Sequence, residues 1–493
     1  MGAISFNQIP VNLLTPGQYV EFDNSKAVSG LVVMPNRILL IAQMLASGTA
    51  TANVPFQADN LAGVQNRCGR GSHAALMFEA ELRITDTIET WILPLADAAG
   101  GVASTGTIAL GGTPTAAGTL NLYIAGDRVQ VAVSATDTPA TVATALAAAV
   151  NASPDLPVTA ASAAGTVTLT ARNKGSLGND IDLRVNYYPL SEATPGGLTV
   201  TITAMAGGSG DPSIAAGLAA IGETQFNSVL MGLSDGANMA LIETELDARW
   251  GPLRQSDGRV HTAVRGTVGS LNTYANARNS PHAVAWSVEQ GGSPSPVWEH
   301  AAIWGTICAY YLGSIDPARP VQTLVGTGLL PASPEKRFTR AERNNLLSYG
   351  LATYIANPGG ELAAERAVTT YTQNASGIVD PSYRDAETMY TLSYLRYSVR
   401  ARIAQKFPRH KLANDGTVFD AGQAVATPSM IRAELIALFR DWEEAGLVED
   451  FDQFKADLQV ARSSTDVNRV DVRIPPNLIN QFRVFAAQIQ FRL

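Results

Sequence analysis

LVVMPNRILLIAQM, residues 31–44, is the stretch on which the fold turns. From Arg37 to Met44 it is a nearly unbroken apolar run of strand length. A half-exposed strand alternates apolar and polar residues, whereas a strand covered on both faces does not. The run therefore predicts a strand inside a sheet with layers on either side. Its sheet partners lie far along the chain. Beyond residue 211, helices and strands alternate: helix 214–221, strand 227–232, helix 238–250, strand 260–264, helix 270–278, strand 283–289 and helix 296–312. This βαβα punctuation implies an open sheet with helices on it. Strand 37–44 belongs to that sheet, with a helix at 72–81 and a strand at 89–95 beside it.

Between these two parts the composition changes. From about residue 98 to 210 the chain is rich in Thr, Ala and Gly and poor in charge. Short strands recur at 107–110, 119–124, 129–133, 166–171, 182–187 and 198–204. Turn signals such as Gly126-Asp127 and Gly178-Asn179 separate them. One helix interrupts them, with Thr138 as N-cap and Pro139 behind it. The stretch reads as a β-rich domain inserted between glycine-rich hinges. The last third carries long helices at 339–355, 381–406 and 428–445. The first opens with a capping box, Thr339 and Glu342. Leu392, Leu395, Val399 and Ile403 give the second a core stripe. The expected fold class is α+β/α/β multidomain: a discontinuous α/β core with a helical C-terminal part, an inserted β-rich domain, and extended N- and C-terminal strand arms.

Composition narrows the function. The chain has 493 residues, 16% of them charged, with a net charge of −8. Soluble proteins average about 25% charged residues. That net acidity argues against nucleic acid as the main partner, because phosphate binding needs concentrated Lys and Arg. Cys68 and Cys308 give no disulfide scaffold, and the five histidines show no metal-ligand spacing. No signal peptide and no membrane span are expected. Catalytic, cofactor and metal sites are all expected to be absent.

One enzymatic alternative stands. Gly232-Leu233-Ser234-Asp235-Gly236 is a G-x-S-x-G between a predicted strand and a predicted helix, the context of a hydrolase nucleophile elbow. Asp316 and His410 would complete a triad. Against it, strand-to-helix loops favour these residue types for turns and caps. Glu299-His300 reads as a helix face beside Trp298 and Trp304, with His300 at a protein surface. Tyr383, Tyr390, Tyr394 and Tyr397 read as packing residues.

Charge is segregated. Residues 383–411 hold seven Lys/Arg and two Asp/Glu, and 428–457 hold three and eight. Such blocks pair within the chain or between copies of it. At both ends, strand-like alternation runs to or near the terminus. Val470, Val472 and Ile474 alternate with polar residues, as do Ile489, Phe491 and Leu493; Tyr19, Val20 and Phe22 fall in a short predicted strand. A terminal strand can pair in its own domain or add to a sheet edge of a neighbour. Heterologous addition builds rings or filaments.

IPVNLLTPGQYVEFDNSKA at 9–27 and NRVDVRIPPNLINQFRVFAAQIQF at 468–491 resemble the tail sheath proteins of contractile-tailed bacteriophages, in particular the Mu-like type. The order of elements outside the insert is similar too. The resemblance implies a structural subunit, not an enzyme, in a six-fold helical homopolymer around a tail tube protein. It implies baseplate and tail terminator partners, assembly in the host cytoplasm and residence in the virion tail, with no cofactor. Contraction would drive the tube through the host envelope. It makes Phe6, Ile9, Val11, Tyr19, Val20 and Phe22 the N-terminal arm contacts. Val484, Ile489, Phe491 and Leu493 become the C-terminal strand, and Val470, Val472 and Ile474 the acceptor sheet. Tube contacts would fall in 428–457. The expected layout is an N-terminal arm at 1–30, core parts at 31–97 and 211–465, the insert at 98–210, and C-terminal strands and arm at 466–493.

Overall fold

A computed structural model describes residues 15–20, 31–420 and 422–492. Two compact units emerge. One comprises 35–393 with 480–493, the other the described residues of 1–34 with 394–479.

The larger unit is built on a six-stranded sheet. Its strand order is Ala283–Glu289, Arg259–Gly266, Ser228–Met231, Arg37–Gln43, Glu89–Leu95 and Phe56–Gln57. The first five run parallel and the last antiparallel. Ile38, Leu39, Leu40, Ile41, Ala42 and Gln43 are all buried, as the continuous apolar run requires. Helix Val297–Tyr310 lies on the sheet, and every residue from His300 to Ala309 is buried. Gly305 allows this closeness: a Cβ there would sit 2.3 Å from Leu230 Cδ2 and 2.8 Å from His261 Cβ. Trp304 stacks on Trp286 and Tyr354, at 4.9 and 5.7 Å between ring centres.

The stretch Thr105–Ala206 forms two antiparallel sheets within this unit. Four strands run in the order Thr199–Ala206, Thr105–Gly111, Thr166–Ala171, Val158–Ala163, and three in the order Asp127–Val133, Gly118–Ile124, Leu183–Val185. Helix Pro139–Asn151 begins at Thr138, whose side chain accepts from Thr141 N. Strand Val158–Ala163 was not expected. Its residues VTAASA are small, and only Val158 is buried, so no apolar alternation marks it.

Two helix expectations need correction. Helix 339–355 has its capping box at Thr339 but stops at Ser348. Gly350 takes φ +83°, a left-handed stop, and Thr353–Ala356 pairs with Leu362–Arg366 as a hairpin. The β-branched and aromatic residues Thr353, Tyr354 and Ile355 favour that strand. The helix expected from Pro381 starts at Ala386, after a turn in which the Asp380 carboxylate accepts from Ser382 N.

The smaller unit holds the end of helix Ala386–Lys406, from Tyr394 onward, and helices Pro428–Glu444 and Phe451–Asp457. Phe439 stacks on Phe454 at 4.1 Å, and Trp442 Nε1 donates to Ser398 Oγ at 2.9 Å. The segregated charges meet here within one chain. Arg402 pairs with Asp441 and with Glu434, and Lys406 lies 3.9 Å from Glu434.

Candidate interaction site at the chain ends

The Ser234 loop lies between strand Ser228–Met231 and helix Gly236–Trp250, where the motif needs it. Its chemistry is a helix cap. Asp235 Oδ1 accepts from Ala237 N and Asn238 N at 3.1 and 3.0 Å, and Oδ2 accepts from Asn238 Nδ2 at 2.7 Å. Among the described residues no hydrogen bond joins Ser234 to a histidine or a carboxylate. Asp316 accepts from Ala318 N. His410 belongs to the other unit, with Nδ1 3.0 Å from Pro408 O. His300, expected at a surface, is fully buried. Trp304 Nε1 donates to its Nδ1 at 3.2 Å, and its Nε2 lies 3.2 Å from Ser293 Oγ. Burial alone holds the His73 imidazole down, to about 3.

Open parallel sheets bind ligands beyond the carboxyl ends of their strands, where the strand order switches. Here the order switches between Arg37–Gln43 and Ser228–Met231, and the chain itself packs over the carboxyl ends beside the switch, at Gln43 and Leu95. Asn173 Nδ2 donates to Met44 O at 2.9 Å and to Asp97 Oδ1 at 3.0 Å, and its Oδ1 accepts from His73 N at 3.1 Å. Gln43 Nε2 donates to Asp97 Oδ1 and Lys174 O, both at 2.7 Å. A second plug lies nearby. Asp180 pairs with Arg265 and accepts from Val297 N at 2.6 Å, at the start of the central helix. Arg265 also donates to the carbonyls of Glu289, Ser293 and Ser295. Asn173 and Asp180 lie in the β-rich stretch, so that stretch covers the carboxyl ends of strands on both sides of the switch. Among the described residues no group of three His, Cys, Asp or Glu is placed to hold a metal.

Among the described residues, the closest-spaced run of exposed large apolar side chains lies near the C-terminal end. Phe482, Val484, Phe485, Ile489 and Phe491 are between 76% and 89% exposed. Residues 479–492 carry no regular secondary structure, so Val484, Ile489 and Phe491 form no strand within the chain. The alternation that predicted one is there, but among the described residues no strand pairs with the backbone of 480–492. One side chain in this tail turns inward. Arg483 Nη2 lies 3.0 Å from Glu387 Oε2 and 3.3 Å from Asp385 Oδ1. Just before it, Gln481 Nε2 donates to Ala318 O at 3.4 Å. Nothing in the apolar pattern flagged Arg483. Its only sequence signal was an arginine inside an apolar arm.

At the other end, Tyr19 and Val20 are exposed and form no strand. Phe6, Ile9, Val11, Phe22 and Leu493 lie outside the described residues. Further on, the hydroxyls of Tyr394 and Tyr397 donate to Val32 O and Val33 O, at 3.1 and 3.4 Å. Val470 and Val472 lie in strand Val470–Arg473, which pairs antiparallel with Gln459–Arg462 alone among the described strands. Ile474 follows it, half-buried. The hairpin is held to helix Pro428–Glu444 through Arg432, which donates to Leu458 O. A two-stranded sheet is marginal by itself, and both outer edges here retain unpaired backbone groups.

Family models match most of the chain: a phage tail sheath protein beta-sandwich domain over 99–211, a phage tail sheath protein central domain over 207–370, and a phage tail sheath C-terminal domain over 379–492. The chain is 44% identical to the Mu-like prophage FluMu tail sheath protein of Haemophilus influenzae, over 100% of both chains. Among solved structures it is similar to a sheath tail protein from Desulfitobacterium hafniense, at 14% identity and TM-score 0.49, covering 94% of this chain and 97% of that one. It is also similar to the sheath of an extracellular contractile injection system in its contracted state, at 8% identity and TM-score 0.49, covering 97% and 98%.

Proposed function

Since the chain belongs to the phage tail sheath family, we propose that it polymerises around a tail tube by exchanging strands between copies, and that the sheath contracts to drive the tube through the host envelope. Its polymer is six-fold and helical, and it meets the baseplate and a terminator protein at its ends. Residues 1–30 and 466–493 act as arms and strands, 31–97 and 211–465 as the core, and 98–210 as an insert on the outer surface. The tube faces the acidic part, 428–457.

The observation that carries this reading is the exposed apolar tail beyond Arg483, together with a hairpin that offers free edges. Val484, Ile489 and Phe491 of one copy would extend the sheet that contains Val470 and Val472 in the next, with Ile474 beside it. Phe6, Ile9, Val11, Tyr19, Val20 and Phe22 would do the same from the other end. Burying one such side chain contributes about 1.5–3 kcal/mol. Backbone pairing supplies register, and the gain repeats at every copy. A few kcal/mol between two packings then suffices for contraction, and the extended form is held kinetically.

Deleting residues 484–493 tests the reading. The expected product is a folded subunit, by circular dichroism and sedimentation, that forms no tubes in negative-stain microscopy. Normal tubes from the truncated chain would refute strand donation.

A further inference from the structure

We infer that Arg483 is the positioning residue that fixes where the C-terminal arm leaves its own subunit; this rests on the proposal that the arm is donated. The side chains around it point to solvent: Phe482, Val484 and Phe485 are all more than three-quarters exposed, while the Arg483 side chain is 14% exposed. The tail is therefore attached here by polar groups, the Arg483 charge above all and the Gln481 amide beside it, and not by apolar packing.

The receiving site is built for that charge. Glu387, in the first turn of helix Ala386–Lys406, is fully buried. Its Oε1 accepts from Val321 N at 3.2 Å. Asp385 is gripped by Arg366, whose Nε and Nη2 donate to its two oxygens at 2.8 and 2.9 Å. Two carboxylates thus face two arginines. Arg366 answers Asp385, and among the described residues Arg483 is the cation within ion-pair distance of Glu387. Without the tail, a buried carboxylate would lose its counter-charge, and breaking such a pair is strongly unfavourable.

The anchor sets reach. Beyond Arg483 the described arm has nine residues, 484–492, or about 30 Å when extended. Upstream, Gln481 Nε2 donates to Ala318 O at 3.4 Å, and the backbone is next held where Ile479 N donates to Leu447 O. Releasing Arg483 would free two more residues at once, and four, about 13 Å, when the Gln481 contact gives way with it. A longer tether lowers the effective concentration of the arm at its acceptor and loosens the register in which it docks.

The test uses the full chain in three forms: Arg483→Ala, Arg483→Lys, and Arg483→Ala with Glu387→Gln, which removes the orphaned charge should the single variant fail to fold. Hydrogen exchange on unassembled protein reads the anchor. The Ile479 amide, which donates to Leu447 O just before the anchor, should exchange on the order of tenfold faster in the double variant as the freed tail frays back, and stay close to wild type in Arg483→Lys. A photo-crosslinking residue at position 489 reads the register in tubes. One acceptor segment is expected for wild type and Arg483→Lys, and a spread of adducts for the double variant. Unchanged exchange or an unchanged single adduct in the double variant would overturn the inference, as would an Arg483→Lys variant that behaves like alanine. If chains lacking 484–493 still form tubes, donation itself fails, while the exchange result still decides the anchor.

Discussion

Replacing Asn173 by alanine should destabilise the larger unit by about 3 kcal/mol. Asn173 is 1% exposed and makes three hydrogen bonds, to Met44 O, Asp97 Oδ1 and His73 N. A hydrogen bond contributes about 1 kcal/mol net, and a buried group left without a partner costs about 1–3 kcal/mol. Asp97 keeps Gln43 Nε2 and Lys174 N, so it suffers least. The Met44 carbonyl and the His73 amide bear most of the loss. Asn173→Asp should cost more than alanine, because it removes the Nδ2 donor and sets a second carboxylate against Asp97. Urea unfolding followed by tryptophan fluorescence is the assay; Trp298 packs 4.6 Å from the His73 ring and reports locally. A loss below 1 kcal/mol for alanine, or an aspartate variant as stable as wild type, would refute the idea that Asn173 locks the β-rich stretch over the carboxyl ends of the sheet strands.

Asp180→Asn should cost about 3–5 kcal/mol in the same assay, since it leaves the Arg265 charge buried without its carboxylate. Gly305→Ala should lower stability by about 1–3 kcal/mol through overpacking against Leu230 and His261. Glu81 is buried, accepts from the Thr90 hydroxyl, and has its carboxyl pushed up to about 8 by burial. A raised carboxyl favours folding below its unfolded value near 4.5, and that contribution fades as pH rises through about 8. Glu81→Gln should therefore flatten the fall in stability between those limits, with a gain on the order of 4 kcal/mol at pH 9 and little at pH 4, measured by denaturation across pH. Ser234→Ala should leave tube formation unchanged, and wild-type protein should not react with a fluorophosphonate probe; stoichiometric labelling at Ser234 would reopen the hydrolase reading.

Local chemistry made most of the elements legible. A continuous apolar run marked Arg37–Gln43, Thr138-Pro139 marked the helix behind it, and a capping box marked Thr339. These signals act over a few residues, so sequence carries them directly. The stop at Gly350 was just as local, but the helical pattern through Ile355 obscured it. The terminal patterns likewise pointed at the ends as the working surface. They marked apolar faces without saying what covers them.

What the sequence determined by itself was therefore the inventory: strands, helices, the composition break near residue 98, and a family likeness at both ends. Only the tertiary structure decided how the pieces answer one another. It brought Asn173 and Asp180 to the carboxyl ends of the sheet strands across more than a hundred residues, paired the opposed charge blocks inside one chain, and seated Arg483 on Glu387. The division has a physical cause. Helical periodicity and capping are set by neighbours within a turn or two, whereas burying a polar or charged group requires a partner that only the folded chain brings near.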